Sequence, residues 1–507
     1  MGLLLVLLGG CATVGPDYEP PDDAWLESLE VSVYGEAITV SQASELTLST
    51  WWQQFDDPTL DNLISIARQE NPGLRIAGLR VLEARALAAA AGASLYPQVQ
   101  TLNADAVAAK RSSGVGESGF RTWSAGASIG WELDFWGRFE RAIESADSAY
   151  FASVASQRDA QILLSATVAE LYWQYRVVQE RVVILNKNAK QQERSFDITR
   201  QMFEAGQQSE LDLQQARTQY LATLSSLPAL EQAAAQLKNA LSALLGRSPG
   251  NLPELEGAVA DLPADHRVQL DQMPAVTVQR RPDVRAALWS VAAQSAQIGI
   301  AEAEYYPAVA IGGSLGWSGN SLPAVDSVGT LGVGPAVRWT VFDWGRIANT
   351  VRVQDARLQQ TLEGYRGAVL NAAREINDAS IALDKTAEQR VLLEETVAAS
   401  ERALDIATTR YREGYADFQR VLDAQRVVFA QADRKLQNDG QHLSAIVALY
   451  QALGGGWSAD DLDTMLPADT LQQMRERSDW GDLLSVPVVD REGPVDAASI
   501  SNEEPTP

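Results

Sequence analysis

The sequence predicts an α+β membrane protein in which four transmembrane β-strands per chain continue into long, coiled-coil-like α-helices. Three observations predict this fold. The chain contains two copies of one unit of roughly 200 residues, the kind of internal repeat that decides an architecture. Each unit holds Gly-rich runs in which apolar and small polar residues alternate. Each unit then continues into an Ala-rich stretch of about 60 residues without proline, which as a helix would extend about 90 Å.

The repeat is clearest where the alternating runs end. Residues 131–138 read WELDFWGR and residues 339–346 read WTVFDWGR, 208 positions later. Gly206 and Gly414 differ by the same 208, whereas Tyr96 and Tyr306 differ by 210. The matched motif predicts a corner between strand and helix, in which Gly allows a tight turn, Trp anchors at the membrane interface and Arg stays out of lipid. The corner residues are Trp136, Gly137, Arg138, Trp344, Gly345 and Arg346.

Composition excludes several classes of function. The chain has 41 basic and 66 acidic residues and a formal net charge of −25, so its field would repel nucleic acid. With one cysteine, Cys11, and two histidines, His266 and His442, it cannot form an internal disulfide or a His/Cys metal cluster. We therefore expect no metal and no cofactor.

The N-terminus resembles an export signal. Leu3 to Leu8 is apolar but too short to span a bilayer as a helix, and Gly9-Gly10 precede Cys11. This pattern fits a bacterial lipobox, in which the Cys11 thiol is acylated after residues 1–10 are removed as a signal peptide. Because the run lacks a leading Lys or Arg, we expect translation to start upstream of Met1. Ala12, rather than Asp, after the cysteine points to the outer membrane.

The alternating runs predict two strands in each repeat. Residues 98–110 form a weak strand and 120–134 a strong one, with the polar segment 110–119 as the loop between them. In the strong strand Trp123, Ile129 and Trp131 share one face with alanines, while Ser, Gly and Thr occupy the other. One apolar and one small polar face over about ten residues is typical of transmembrane barrels. A strand of a soluble sandwich, with Trp in its core, is the alternative. Residues 309–317 and 330–341 alternate in the same way in the second repeat.

These patterns divide the chain. Residues 11–50 are predicted to be a lipidated tether, 51–250 the first repeat, 251–270 a linker, 271–456 the second repeat, and 457–507 an acidic tail that is partly disordered. In each repeat a long helix reverses at a Gly turn, and Pro228 should kink the returning helix of the first repeat.

Four strands cannot close a barrel in lipid, so the chain must oligomerise. Two copies would give a barrel of eight strands, whose interior is filled by side chains. Three copies would give twelve strands and leave room for a lumen. The lumen face of Ser, Gly, Thr and Ala is small enough to keep that lumen open.

The lipobox followed by GPDYEPP (15–21), the duplicated strand–corner–helix units and the two tip turns resemble the TolC-type outer-membrane efflux family, in particular its lipoprotein branch. The resemblance covers about residues 11–457. It implies a homotrimer with a twelve-stranded barrel in the outer membrane and an α-helical tunnel in the periplasm. It also implies a periplasmic adaptor protein and an inner-membrane transporter, which we expect to be proton-driven, and no enzymatic activity.

The resemblance also places a gate at the helix tips. It assigns Asp212 and Tyr411 as gate partners and Asp423 to an acidic ring at the constriction. Arg420 departs from the family pattern and could pair with Asp423 at i,i+3, which would weaken cation selectivity. Ala205-Gly206 and Glu413-Gly414 resemble the turns that dock the adaptor. Without the resemblance, these carboxylates are equally consistent with a solvated helix surface and the turns with simple helix reversal.

Three functions are compared. The first is the exit duct of a tripartite pump for small molecules, with a type I secretion duct as a variant. The second is a periplasmic helical adaptor or scaffold lipoprotein, which would have one hairpin and a β-rich module in place of two hairpins and four strands. The third is a cell-wall enzyme, which the two histidines and the lack of a nucleophile motif disfavour. The duplicated corner favours the duct.

Overall fold

The computed structural model describes residues 13–21, 32–33, 36–37, 48–113, 116–256, 262–263, 276–320, 327–459, 462–489, 491 and 493–494. The strands are β1 (Ser32–Val33), β2 (Glu36–Ala37), β3 (Val99–Ser113), β4 (Gly116–Leu133), β5 (Ala308–Gly319) and β6 (Ser327–Arg338). The helices of the first repeat are α1 (Pro58–Glu70), α2 (Pro72–Gly92), α3 (Arg138–Glu204), α4 (Glu210–Ser225) and α5 (Leu227–Leu244). The remaining helices are α6 (Val276–Arg280), α7 (Pro282–Ala303), α8 (Arg346–Arg412), α9 (Phe418–Ala452), α10 (Leu462–Met465) and α11 (Ala468–Arg477).

The four long strands form one antiparallel sheet in the order β3-β4-β5-β6. Its register separates the side chains into two kinds of stripe. Ala127 lies opposite Leu102 on β3 and Leu315 on β5, whereas Ser128 lies opposite Thr101 and Ser314. The Thr101 and Ser128 hydroxyls are 2.6 Å apart and hydrogen-bond across the polar stripe. The predicted apolar and small polar faces are therefore confirmed, and β3 and β6 are the edges of the sheet.

The strand ends differ from the prediction in two places. Residues 110–119 were predicted to be a loop, but β3 continues to Ser113 and β4 begins at Gly116. The backbone pairing of this hairpin continues without interruption to Ser113 opposite Gly116, so the polar Ser and Gly residues here lie in the strands. Conversely, the last predicted strand was extended to 341 but ends at Arg338, because its neighbour β5 begins at Ala308, which pairs with Arg338.

The two longest helices, α3 and α8, each have 67 residues and lie 208 positions apart in the sequence. Each begins at a Gly in the left-handed region and ends in a Gly turn, as the repeat predicted. The predicted interruption at Pro228 is also confirmed, since α4 ends at Ser225 and α5 restarts at Leu227. Proline fits there because the second position of a helix needs no N–H partner.

The main core lies midway along the helices, where α1, α3, α8 and α9 meet. Its centre is a short 3₁₀ turn, Trp51–Phe55, whose aromatic rings are buried. Trp51 stacks on Tyr450 of α9 with ring centroids 5.1 Å apart, and Phe55 packs against Trp173 of α3 at 5.0 Å. Asp57 caps α1 and accepts a hydrogen bond of 2.6 Å from the Tyr172 hydroxyl. These contacts fix the start of the first repeat against the returning helix of the second.

The acidic tail was predicted to be partly disordered, and its described part, within residues 457–494, contains helices. Helices α10 and α11 and a 3₁₀ turn at Gly481–Leu484 pack against Leu82 of α2. The buried Arg85 guanidinium donates to the main-chain oxygens of Leu483, Val486 and Pro487 at 2.8–3.0 Å. Apolar residues every three or four positions, including Leu462, Met465 and Leu466, supply enough buried surface to order the segment despite its charge.

A partly buried charge cluster joins α3, α7 and α8. Arg281, before α7, binds Asp283 and Glu375 at 2.8 Å and donates to the Ala452 carbonyl at the end of α9 at 2.6 Å. Asp159 of α3 faces this cluster. Burial, followed by the charges of Asp283 and Glu375, raises its pKa to about 6, and the charge of Arg281 opposes this increase. One arginine thus faces three carboxylates.

We expect Asp159→Asn to stabilise the protein at pH 7.5. A carboxyl whose folded pKa is raised contributes stability when protonated, below its unfolded pKa of 3.8, and loses that contribution as pH rises through about 6. The penalty at neutral pH is on the order of 2 kcal/mol. The melting temperatures of wild type and variant, measured in detergent from pH 4 to 8, should diverge between pH 4 and 6.5. Parallel curves would contradict the assignment.

Candidate functional site: hairpin tips and strand–helix corners

The first tip joins α3 to α4 through a tight turn. Gly206 has φ of +73°, a conformation in which a side chain would be strained. Ser209 then caps α4, because its hydroxyl accepts from the Asp212 N–H at 3.2 Å and donates to the Asp212 carboxylate at 2.6 Å. Both predicted docking residues here, Ala205 and Gly206, are exposed at the turn. The acidic first turn of α4 also matches the helix dipole.

The second tip joins α8 to α9 in the same way. Gly414 has φ of +79° and, like Glu413, is exposed. Tyr415 follows with 81% of its surface exposed. The two tips lie side by side, since Phe418 and Leu422 of α9 pack with Ala216 of α4. The structure therefore brings all four predicted docking residues to one end of the molecule.

The predicted gate pair lies at this contact but is not directly hydrogen-bonded among the described residues. The Tyr411 hydroxyl accepts from the Gln208 amide at 3.3 Å and donates to the Met202 sulfur at 3.6 Å. Partial burial, followed by the nearby Asp212 charge, raises the Tyr411 pKa, against the Gln208 hydrogen bond. Tyr411 is thus a neutral phenol that lies between the two tips and contacts both. Gln208, which sequence reasoning missed, is the link between them; its place two residues after the Gly turn was the available signal.

The pair between Arg420 and Asp423 that the helical spacing allows is not among the ion pairs of the described residues. Asp423 instead accepts from the Gln419 amide at 3.0 Å and lies 3.7 Å from Arg426. Arg426 also donates to Gln219 of α4, so it connects the two hairpins. Arg420 and Arg426 are each three positions from Asp423, so helical spacing allows either to pair with it. The hydrogen bond to Gln219 holds Arg426 in the position next to Asp423. Asp423 is half-exposed, so this pair is screened by solvent.

The two corners share the left-handed Gly before the helix, Gly137 and Gly345, but neither the backbone of the preceding Trp nor its surroundings. Trp136 stacks on Tyr306 with centroids 4.5 Å apart and donates its indole N–H to the Pro307 carbonyl at 2.9 Å. Trp344, its equivalent, has φ of +58° and is 89% exposed. The corner arginines both bind carboxylates: Arg138 binds Glu132 at 2.8 Å and Arg346 binds Glu304 at 3.0 Å.

The described part of the N-terminal segment, Thr13 to Pro21, covers the first corner. The Val14 N–H donates to the Trp136 carbonyl at 3.1 Å. Arg141, whose side chain is 3% exposed, binds Asp17 at 2.6 Å and Glu144 at 2.7 Å. The tether is therefore packed on the protein over residues 13–21, where it has no regular secondary structure. Cys11 itself lies outside the described residues.

Within the described residues, no group of three or more His, Cys, Asp or Glu side chains could hold a metal ion. The helices in the same part of the chain include none that is both long and apolar enough to cross a bilayer. The polar features of the site are thus the tip contacts and the corner ion pairs.

We expect Gly137→Ala to be more damaging than Gly345→Ala. Both positions have positive φ, +71° and +83°, so each variant carries a backbone penalty of about 1 kcal/mol. An added Cβ at Gly137 would lie 2.9 Å from the Thr13 Cα, whereas at Gly345 the nearest atom is 3.8 Å away. Hydrogen exchange should show faster exchange at Val14 in the first variant alone. Equal exchange in both variants would contradict this packing.

Comparison with known proteins agrees with this geometry. The family model described as outer membrane efflux protein matches residues 63–247 and 274–455, which are the two repeats. The chain is 32% identical over 431 residues to the pyoverdine export outer membrane protein OpmQ of Pseudomonas putida, covering 83% of this chain and 91% of OpmQ. It is 29% identical to the cation efflux system protein CusC of Escherichia coli, covering 89% and 96%.

Solved structures show the same architecture. The outer-membrane channel OprN superposes with a TM-score of 0.79 at 33% identity, covering 88% of this chain and all of that one. A crystal structure of CusC gives a TM-score of 0.78 at 27% identity, covering 88% of this chain and all of that one. The chain therefore belongs to the outer membrane efflux protein family, and it is an outer-membrane efflux channel.

Proposed function

We propose that three copies of this chain close into a twelve-stranded barrel that continues into an α-helical tunnel, and that the assembly is the exit duct of a tripartite pump. The observation that carries the proposal is a four-stranded sheet with two free edges, β3 and β6, joined directly to helices of 67 residues. Free edges are not tolerated in lipid, and twelve strands leave a lumen that eight do not.

The burial of the two long helices supports assembly. Helix α3 buries 24 residues, whereas α8, of equal length and in the equivalent place in the second repeat, buries 10. Helix α3 lies between α2, α7 and the returning helices, while α8 lies at the side of the molecule. Exposed apolar residues of α8 such as Val353, Leu370 and Val391 then become available to a second copy.

The partners follow from the two ends of this duct. The exposed tips at Ala205-Gly206 and Glu413-Gly414 would contact a periplasmic adaptor, and the adaptor would connect the duct to a proton-driven inner-membrane transporter. Relatives are named for pyoverdine, cation and toluene efflux, so the cargo differs among similar chains. The polar stripe of the sheet, Ser, Gly and Thr, selects little, which suits small molecules of several classes. A secretion duct for proteins is the alternative. The chain performs no enzymatic reaction in this scheme.

A lipid anchor on Cys11 fits the position of the N-terminal segment. Thr13, two residues later, lies against the first corner, where strand β4 leaves the barrel. A chain spans at most about 3.6 Å per residue, so acyl groups on Cys11 would lie within about 10 Å of this corner and could enter the adjacent lipid.

The anchor can be measured by intact mass. We expect the N-terminus of the purified protein to begin at Cys11 and to carry the mass of its acyl chains. Cys11→Ser should lose this mass and remain in the membrane, because the barrel also holds the protein there. Wild-type protein without added lipid mass would show that the lipobox interpretation is wrong.

The gate is proposed at the tips, where the Gln208–Tyr411 hydrogen bond joins the two hairpins and the Asp212 charge lies near Tyr411. We expect Asp212→Ala and Tyr411→Phe to raise the single-channel conductance of the purified protein in planar bilayers. Tyr411→Phe removes the Gln208 hydrogen bond at each of three copies and weakens the closed state by about 1 kcal/mol per copy. Asp212→Ala removes the charge beside Tyr411 and the carboxylate contact with the Ser209 hydroxyl that caps α4. Asp405→Asn, which alters an exposed ion pair on α8, is the matched control. Unchanged conductance in both gate variants would contradict a gate at these residues.

A further inference from the structure

The two repeats correspond at the level of single hydrogen bonds. In the first repeat the Trp131 indole donates to the Leu95 carbonyl at 3.1 Å, and in the second the Trp339 indole donates to the Tyr305 carbonyl at 3.0 Å. The tryptophans are 208 positions apart and the acceptors 210. A contact found in one repeat can therefore be transferred to the other by these two shifts.

One contact crosses from the first repeat to the second. Trp136, at the end of β4, stacks on Tyr306 at the start of β5 and donates to the Pro307 carbonyl at 2.9 Å. This contact closes the seam between the two repeats inside one chain. It leaves Trp136 sheltered and its N–H satisfied, as an indole at a membrane interface requires.

The equivalent residues across the outer edges have no such contact within the chain. The shifts convert Trp136 into Trp344, and Tyr306-Pro307 into Tyr96-Pro97. Trp344 is 89% exposed and Tyr96 72% exposed. Among the described residues the Trp344 indole donates no hydrogen bond. Trp344 also has positive φ, which Asp343 stabilises by accepting from the Gly345 and Ile347 N–H groups at 3.0 and 2.7 Å. The Trp344 ring meets the Phe342 ring edge-on at 4.6 Å. The tryptophan is thus exposed and held with a strained backbone, without the stacked tyrosine that its equivalent Trp136 has.

The strand register transfers by a pair of shifts of its own. Strand β3 begins at Val99 and β5 at Ala308, 209 positions later, and they lie opposite Gly130 and Arg338, which are 208 apart. At the internal seam Ile129 lies opposite Gly313. The strand shifts convert this pair into Val337 and Ala104. Ala104 lies opposite Ala125 and Val337 lies opposite Val309, so both residues are on the apolar stripe. The transferred register therefore joins apolar stripe to apolar stripe.

We propose that β6 of one copy pairs with β3 of the next with Val337 opposite Ala104 of the partner subunit, and that Trp344 stacks on Tyr96 of the partner subunit and donates to its Pro97 carbonyl. This rests on the proposed assembly and specifies its seam. The seam between chains then reproduces the seam within a chain. Pro97 already accepts from the Gln100 amide at 3.3 Å, and a carbonyl oxygen has a second lone pair for Trp344.

Disulfide cross-linking tests the register. Residues directly opposite have Cα atoms about 4.5–5.5 Å apart, which permits a disulfide, whereas diagonal neighbours at about 7–8 Å do not. Val337→Cys with Ala104→Cys should cross-link copies into covalent trimers under mild oxidation. Val337→Cys with Ala106→Cys, one diagonal step away, should not. Ala127→Cys with Leu315→Cys is the positive control within a chain. Each single variant reports any cross-link through Cys11.

The outcomes separate the seam from the assembly. Trimers by native mass that cross-link through Ala106 but not Ala104 would overturn the register and leave the duct standing. Trimers in which neither pair cross-links would overturn it as well. A monomer by native mass, with no cross-link between chains, would overturn both this seam and the proposed function.

The aromatic contact has its own test. Trp344→Ala and Tyr96→Ala should each lower the temperature at which the trimer dissociates in detergent. The double variant should dissociate at the same temperature as the less stable of the two single variants. Additive losses would show that the two rings do not touch and would overturn the pairing of Trp344 with Tyr96.

Discussion

A β-strand in a membrane must have both of its edges paired, and the rest of this molecule depends on that constraint. Water cannot satisfy the backbone of β3 and β6 inside a hydrocarbon layer, so a four-stranded sheet is only part of a structure. The chain meets half of the requirement by duplication, since β4 of the first repeat pairs with β5 of the second. In the proposed assembly the other half comes from additional copies. The channel would then be a property of the assembly, with each chain supplying a sector of wall.

The same duplication organises the helices. Each strand pair passes through a Trp-Gly-Arg corner into a 67-residue helix, and the polypeptide reverses at a Gly turn. The sheet and the long helices are thus joined through short corners, residues 134–137 and 339–345, so the diameter of the barrel and that of the helical layer are coupled. The aromatic core at Trp51, Tyr450 and Trp173 fixes the middle of this structure. The tips lie far from it and are held by few polar contacts, among them Gln208 with Tyr411.

Much of this could be predicted because it is periodic. The repeat, the strand faces and both long helices depend on patterns that recur along the chain, and the break at Pro228 follows from the missing N–H of proline. The errors arise where a local choice depends on distant residues. Arg426 rather than Arg420 pairs with Asp423, because Gln219 of another helix holds it. The helices in the described part of the acidic C-terminal segment were not predicted, because they are ordered by apolar contacts with α2 and by the carbonyls that Arg85 of α2 binds. The end of β6 is set by where β5 begins.

The N-terminal segment distinguishes two corners that are otherwise alike. In a ring of three chains there are six strand–helix corners, but residues Thr13 to Tyr18 would cover only the three that contain Gly137. The ring is therefore threefold at this level even though its walls are nearly sixfold. A protein that surrounds the ring at this level would contact covered and uncovered corners in alternation, 60° apart. It could therefore bind in one rotational position and not in the position 60° away.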